Sequence, residues 1–263
     1  VGPVIGGMLH ATYGIRPILE ISCVCFLISA IMELFIRIPH KKRPYEGSML
    51  SMVKNDISTS MNFLIKKNPA MLKVGGIVIS INLFLSSLMI IGTPVIITQN
   101  LGMQETYYGI TEGIMAAGGL VGGLLAGGLG KKLDIQKVHV LLLTCAVCLL
   151  PIGVVLLLNL PVMVCYVVLT AMSAAAMAVS TLFSIQMLAF VQKNTPSELV
   201  GKVISLMMAA SMCAMPLGQV AYGMLFETIG HLSWAIMLGC GAVSMFVALL
   251  SRSVFRGFSM AAA

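Results

Sequence analysis

The chain has 263 residues, of which 59% are hydrophobic and 10% are charged, and its mean hydropathy is +1.02. A soluble domain carries roughly 25% charged residues, so this composition excludes a soluble globular protein and indicates that lipid surrounds the chain. The formal net charge of +7 would suit nucleic acid, but the positions of the basic residues explain it in another way.

Long apolar runs divide the chain into predicted membrane spans. A helix needs about 20 mostly apolar residues to cross a bilayer. Seven complete runs reach that length: Ile18–Ile38, Leu72–Thr98, Tyr108–Leu129, Val138–Leu158, Val162–Phe190, Val203–Phe226 and Leu232–Leu250. An eighth run, Val1–Thr12, is short and has no initiator methionine, so we expect a fragment that starts inside a helix. The sequence predicts an all-α membrane protein.

The basic residues lie almost entirely on one side of the predicted membrane. Of the 16 Lys and Arg residues only Arg16 lies on the other side. Cytoplasmic connections carry an excess of Lys and Arg, so we expect a multi-pass protein of the plasma membrane whose central loop and C-terminus are cytoplasmic. This distribution explains the net charge without nucleic acid. The remaining basic residues lie in alternate connections: Arg37, Lys41, Lys42, Arg43, Lys54, Lys66, Lys67, Lys73, Lys131, Lys132, Lys137, Lys193, Lys202, Arg252 and Arg256.

One long connection separates two unequal groups of spans. We therefore predict the end of an N-terminal bundle (1–38), a central loop (39–71), a C-terminal six-helix bundle (72–251) and a cytoplasmic tail (252–263). Apolar residues of the loop recur at helical spacing, which predicts an amphipathic helix that lies at the membrane surface or links the two bundles. These residues are Leu50, Val53, Ile57, Met61 and Leu64.

Two helix ends repeat each other. Residues 7–14 and 223–230 are identical at five of eight positions, at an offset of 216 residues. Parallel repeats of this kind are typical of some transporters. The offset predicts that roughly 145 residues precede Val1, which would give about twelve spans in two six-helix halves.

Several short motifs resemble a known family. Residues 2–7 read Gly-Pro-Val-Ile-Gly-Gly, residues 67–69 read Lys-Asn-Pro, residues 195–198 read Thr-Pro-Ser-Glu, and residues 215–218 read Met-Pro-Leu-Gly. With these motifs the chain resembles the major facilitator superfamily over its full length, and most of all its drug and siderophore exporters, which include macrolide efflux pumps and the enterobactin exporter. The resemblance implies that the chain covers the end of family helix five through helix twelve.

The resemblance assigns a gating role to the first motif. Gly2, Pro3, Gly6 and Gly7 match the antiporter signature of family helix five, which implies export. Glycines let a neighbouring helix approach closely, and a proline bends its helix, so plain helix packing is the alternative role. The family's loop motif G-x-x-x-D-R-x-G-R-R is reduced at 127–134 to a sequence that keeps the basic pair but has no acidic residue in register.

Two other patterns concern packing. The span 108–129 contains eight glycines, several of them four residues apart, which predicts a face for close helix contact. Thr195 followed by Pro196 and Glu198 predicts a helix start with Thr195 as its cap. The 21 methionines suit either a flexible substrate cavity or ordinary filling of a membrane core.

Polar residues inside spans are the candidates for a transport pathway, because they are costly in lipid. Glu112 lies one turn inside its span and is the candidate for proton coupling; alternatively it reaches the outer surface. Asn82, Gln186, Gln219 and Tyr222 are candidates for the substrate cavity, or else they bond across helices.

The sequence favours a secondary active transporter that exports a small amphipathic compound by alternating access, coupled to proton entry. An uptake transporter of the same fold for a sugar or organic acid is the first alternative, and a membrane receptor or assembly protein without transport is the second. An enzyme is disfavoured because the four histidines lie at span ends on both sides of the membrane. We expect no cofactor or metal, no nucleic-acid partner, and a monomer that contacts lipid, substrate and protons.

Overall fold

The structure, a computed structural model, describes residues 15–35, 49–129 and 138–260. Within these ranges the chain contains no strand, which confirms the all-α class. Its helices are α1 Ile15–Leu34, α2 Met49–Asn62, α3 Pro69–Ile81, α4 Ser87–Val95, α5 Glu105–Leu129, α6 Val138–Leu157, α7 Val162–Lys193, α8 Val200–Ile229 and α9 Ser233–Met260.

Six stretches of the described chain are long and apolar enough to cross a membrane. The last of them, Val200–Val254, is 55 residues long and contains both α8 and α9, which a 3₁₀ turn at Gly230–Leu232 separates. Each of the seven complete spans predicted from the sequence overlaps one of these stretches, and residues 36–38 of the first lie outside the described residues. They confirm a multi-pass membrane protein.

The first span of the bundle is a continuous helix with two wide turns. Asn68 accepts a hydrogen bond from the Met71 amide at 3.4 Å, and a proline at the first helical position suits this start. π-helical turns at Asn82–Ser86 and Ile96–Asn100 join α3 to α4 and end the span. Such turns widen a helix locally and occur often at functional sites.

The spans alternate in direction through the bundle. The rings of Tyr107 and Tyr166 meet edge to face at 5.2 Å near the starts of α5 and α7, and Gly122 meets Ala178 further along both helices. These two spans therefore run in the same direction. Helices α6 and α9 are antiparallel, because residues near the start of each helix lie next to residues near the end of the other.

The two ends of the bundle are marked by separate groups of contacts. At one end Met71 packs with Val191 and Val203; we call this the Met71 end. At the other end the Asn100 side chain donates a hydrogen bond to the Gly230 carbonyl at 2.9 Å; we call this the Asn100 end. Which end faces the cytoplasm stays a prediction from the basic residues.

Close helix packing uses part of the predicted glycine face. A Cβ added at Gly118 or Gly122 would lie well inside the van der Waals contact distance from the Ala174 or Ala178 carbonyl oxygen. A Cβ at Gly123, Gly127 or Gly128 would meet nothing within 4 Å. Only one stripe of the glycines therefore brings α5 against α7.

The amphipathic helix α2 turns its apolar face away from the bundle. Val53 and Ile57 are 57% and 47% exposed, whereas Ser60 is buried and Asp56 forms an ion pair with Lys202 at the start of α8. The polar side of α2 therefore contacts the bundle. Leu64, which was predicted to belong to the same apolar face, is buried.

The predicted cap at Thr195 is wrong. Thr195 is buried, and its hydroxyl donates to the Val191 carbonyl at 2.7 Å, so it satisfies the end of α7 instead. Helix α8 begins at Val200, and Leu199 at its cap position makes no side-chain hydrogen bond to it. Most helices also extend past the predicted spans, and α9 continues to Met260 into the predicted tail, because backbone hydrogen bonding need not stop where the apolar run does.

Candidate transport pathway

A cavity of about 400 Å³ lies between the first span, α7 and α8. Its polar wall residues are Asn82, Ser184 and Ser211, and none of its wall residues is charged. Thioether side chains are flexible and polarisable, so they adapt to apolar surfaces of varied shape. We call it the methionine cavity, because its wall contains Met187, Met207, Met208, Met212 and Met215.

A second cavity, of about 160 Å³, lies between the first span, α5 and α7. Glu112 lines it and is half-buried, and the Tyr108 hydroxyl one turn earlier lies near its carboxylate. Ser173 also lines it, at 1% exposure, and its hydroxyl has no hydrogen-bond partner among the described residues. We call this the Glu112 cavity.

Of the four residues predicted to line the substrate cavity, only Asn82 lies in the wall of either cavity. Asn82 lines the methionine cavity while its amide donates to the Val78 carbonyl at 3.0 Å. Gln186 and Gln219 are half-buried and are not among the wall residues of either cavity. Tyr222 is 7% exposed in the apolar core, where its hydroxyl lies against Cys240. The structure thus brings two of the five polar candidates to cavity walls.

The antiporter-motif residues Gly2, Pro3, Gly6 and Gly7 lie outside the described residues. Their gating role therefore stays a prediction.

Sequence reasoning missed Ser173. Serines are common in membrane helices, where they bond back to their own backbone, as Ser80 does to the Gly76 carbonyl at 2.8 Å. Ser173 differs in making no such bond, which only the three-dimensional structure reveals.

A third cavity, of about 670 Å³, lies at the Asn100 end between the α6–α7 connection and the α8–α9 turn. Its wall includes connection residues such as Asn159 and His231. Because it opens at the end of the bundle, we place the candidate pathway in the two cavities between the spans.

The alternating apolar helices define a polytopic membrane protein. The chain belongs to the Major Facilitator Superfamily, whose profile matches residues 1–219. The members of this superfamily are transporters rather than enzymes, which agrees with the sequence analysis.

Two curated relatives are both macrolide efflux protein A, from Streptococcus pyogenes and from its serotype M6. Each is 24% identical to the chain over 241 residues, which cover 91% of the chain and 57% of the relative. The chain thus spans little more than half the length of these relatives. No solved structure shows a significant match.

Proposed function

We propose that the protein is a secondary active exporter that moves a small amphipathic compound out of the cell by alternating access, coupled to proton entry. The single observation that best supports the proposal is the methionine cavity. It lies between three spans, and its wall is uncharged and can adapt its shape. The family and the efflux relatives support transport of this kind.

The proposal that export is coupled to proton entry rests on Glu112. A carboxylate inside a membrane span is costly, and such residues often carry protons in transporters. Glu112 lines a cavity rather than facing lipid alone, and the Tyr108 hydroxyl lies near its carboxylate. We propose that this carboxylate takes up and releases the coupled proton.

Transport direction is tested in cells. The protein is expressed from its natural gene in bacteria that lack their major efflux pumps, and the accumulation of a radiolabelled macrolide is measured. The relatives' name makes a macrolide the first compound to try. Export predicts lower accumulation in expressing cells, and addition of a protonophore should abolish the difference. Higher accumulation would support the uptake alternative and contradict export.

The methionine cavity is tested with a matched pair of variants. Met212→Gln places an amide in the cavity wall and should raise macrolide accumulation several-fold toward that of cells without the protein. Met224→Gln is the control, because Met224 is similarly exposed, at 62% against 68%, and does not line the cavity. Equal accumulation for the two variants would exclude the cavity as the substrate site.

A further inference from the structure

Helix α2 has three distinct faces. One contacts the bundle, since Ser60 is buried and Asp56 is paired with Lys202. The other two are exposed, and the members of each recur three or four residues apart, which places them on one side of a helix. The outer apolar face consists of Val53, Ile57 and Met61, and the outer polar face consists of Asn55, Ser58 and Asn62. Adjacent apolar and polar faces are typical of a helix at the boundary between lipid and water.

The helix lies at the level where the spans begin. Phe63 and Leu64, directly after α2, pack with Met71, and the membrane-crossing stretch of the first span begins at Met71. Two turns earlier on α2, Asp56 reaches Lys202 in the first turn of α8. Because both contacts lie at the starts of spans, this part of α2 extends along the Met71 end of the bundle, at the depth of the lipid headgroups.

The exposed charge of this segment is positive. In α2 and the π-helical turn that follows it, the only carboxylate is that of Asp56, and Lys202 pairs with it. Lys54, Lys66 and Lys67 are exposed and form no ion pair with any described residue. Lysines beside an apolar helix face attract the headgroups of anionic phospholipids.

The position of Lys54 favours lipid over protein as the group that covers the outer apolar face. Lys54 lies seven residues, or two turns, before Met61, so it projects from the same face. A lysine stem can lie among apolar groups while its ammonium reaches the headgroup phosphates. A protein surface on this face would instead bury the ammonium and would have to supply a partner for it.

We propose that α2 and the turn after it form a binding site for anionic phospholipids of the leaflet at the Met71 end. The outer apolar face enters the boundary of the acyl chains, the ammonium groups of Lys54, Lys66 and Lys67 bind lipid phosphates, and the outer polar face meets water. The Asp56–Lys202 ion pair connects this lipid-bound helix to α8. The site does not depend on which compound is transported or in which direction.

The test measures lipid contact at two neighbouring positions of α2. Ile57→Cys on the outer apolar face and Ser58→Cys on the outer polar face are made in a cysteine-free form of the protein, expressed from its natural gene, and labelled with the fluorophore NBD. Each is reconstituted into vesicles of phosphatidylcholine and phosphatidylglycerol at equal mole fractions. One lipid or the other carries a doxyl quencher near the top of an acyl chain. Doxyl lipid should quench NBD strongly at position 57 and weakly at position 58.

A second comparison tests the lysines. Since each lysine at an anionic surface can strengthen binding about fivefold, quenching at position 57 should be at least about twofold stronger when phosphatidylglycerol carries the doxyl group. Lys54→Gln, Lys66→Gln and Lys67→Gln together should remove this preference and leave the quenching itself. Lys193→Gln is the control, because Lys193 is exposed at the same end but outside α2, and the preference should remain.

Each other outcome overturns the proposal. Weak quenching at both positions would mean that protein, either the rest of the chain or a second copy, covers the outer apolar face. Equal quenching by the two doxyl lipids would show that the helix does not select anionic phospholipid. A preference that persisted without the three lysines would show that their ammonium groups do not bind the phosphates.

Discussion

Ser87 and Gly218 fix the place where α8 crosses the first span. Ser87 is fully buried, and its single hydroxyl proton is shared between the carbonyls of Met215, at 2.9 Å, and Asn82, at 2.8 Å. Gly218 lies so close that an added Cβ would overlap the Leu83 carbonyl oxygen. Contacts between small residues let helix backbones approach in a membrane, where the hydrophobic effect does not drive association.

Gly218→Ala should therefore destabilise the bundle. The added methyl has no space next to backbone atoms, and such overpacking typically costs about 1–3 kcal/mol. The midpoint of thermal unfolding in detergent, followed by intrinsic fluorescence, should fall by several degrees. Gly223→Ala is the control, because its Cβ would meet nothing within 4 Å. Equal midpoints for the two variants would contradict the crossing described here.

At the scale of elements, α5 and α7 depend on the same kind of contact. Gly118 and Gly122 lie against the backbone of Ala174 and Ala178, and Thr111 shares a buried hydrogen bond with Thr170 at 2.9 Å. These two helices also form part of the Glu112 cavity. Their separation therefore sets the distance between Glu112 and Ser173.

Gly122→Ala should widen this helix pair and weaken transport. The added methyl would push α7 away from α5, so the rate of macrolide export should fall several-fold at equal membrane abundance. Gly123→Ala adds the same methyl one residue later into open space and should leave export unchanged. Export by Gly122→Ala at the rate of Gly123→Ala would show that the close contact does not position the site.

The sequence predicted the helices better than the cavities, for a physical reason. The apolar run of a span must match the bilayer thickness, so Val138–Leu158 was predicted and Val138–Leu157 is observed. Cavity walls depend instead on which faces of distant helices meet. Asn82 and Glu112 could be selected because polar residues are rare in spans, whereas Tyr222 had the same polar character and lies in the core.

At the scale of the whole molecule, the bundle has one end rich in basic residues. Lys73, Lys193, Lys202 and Arg252 all lie toward the Met71 end, whereas the connections at the Asn100 end have no Lys or Arg within the described bundle. Positive charge near span ends favours the cytoplasmic side. Export from this arrangement would release substrate at the Asn100 end.

Cysteine labelling tests that orientation. Cys23, Cys25 and Cys213, the exposed cysteines of the described chain, are replaced by alanine. A single cysteine is then placed at Glu227 or at Lys193, which are exposed near opposite ends. A membrane-impermeant maleimide should label Glu227→Cys in intact cells and Lys193→Cys only after permeabilisation. The reverse pattern would invert the predicted topology.

The most direct test of proton-coupled export uses inside-out membrane vesicles with an imposed pH gradient. Vesicles that carry the protein, expressed from its natural gene, are prepared with an acidic or a neutral interior, and uptake of a radiolabelled macrolide is measured at one external pH. Exchange for outgoing protons predicts strong uptake only with the acidic interior, and Glu112→Gln should remove this dependence. Equal uptake with and without the gradient in the unaltered protein would contradict proton-coupled export.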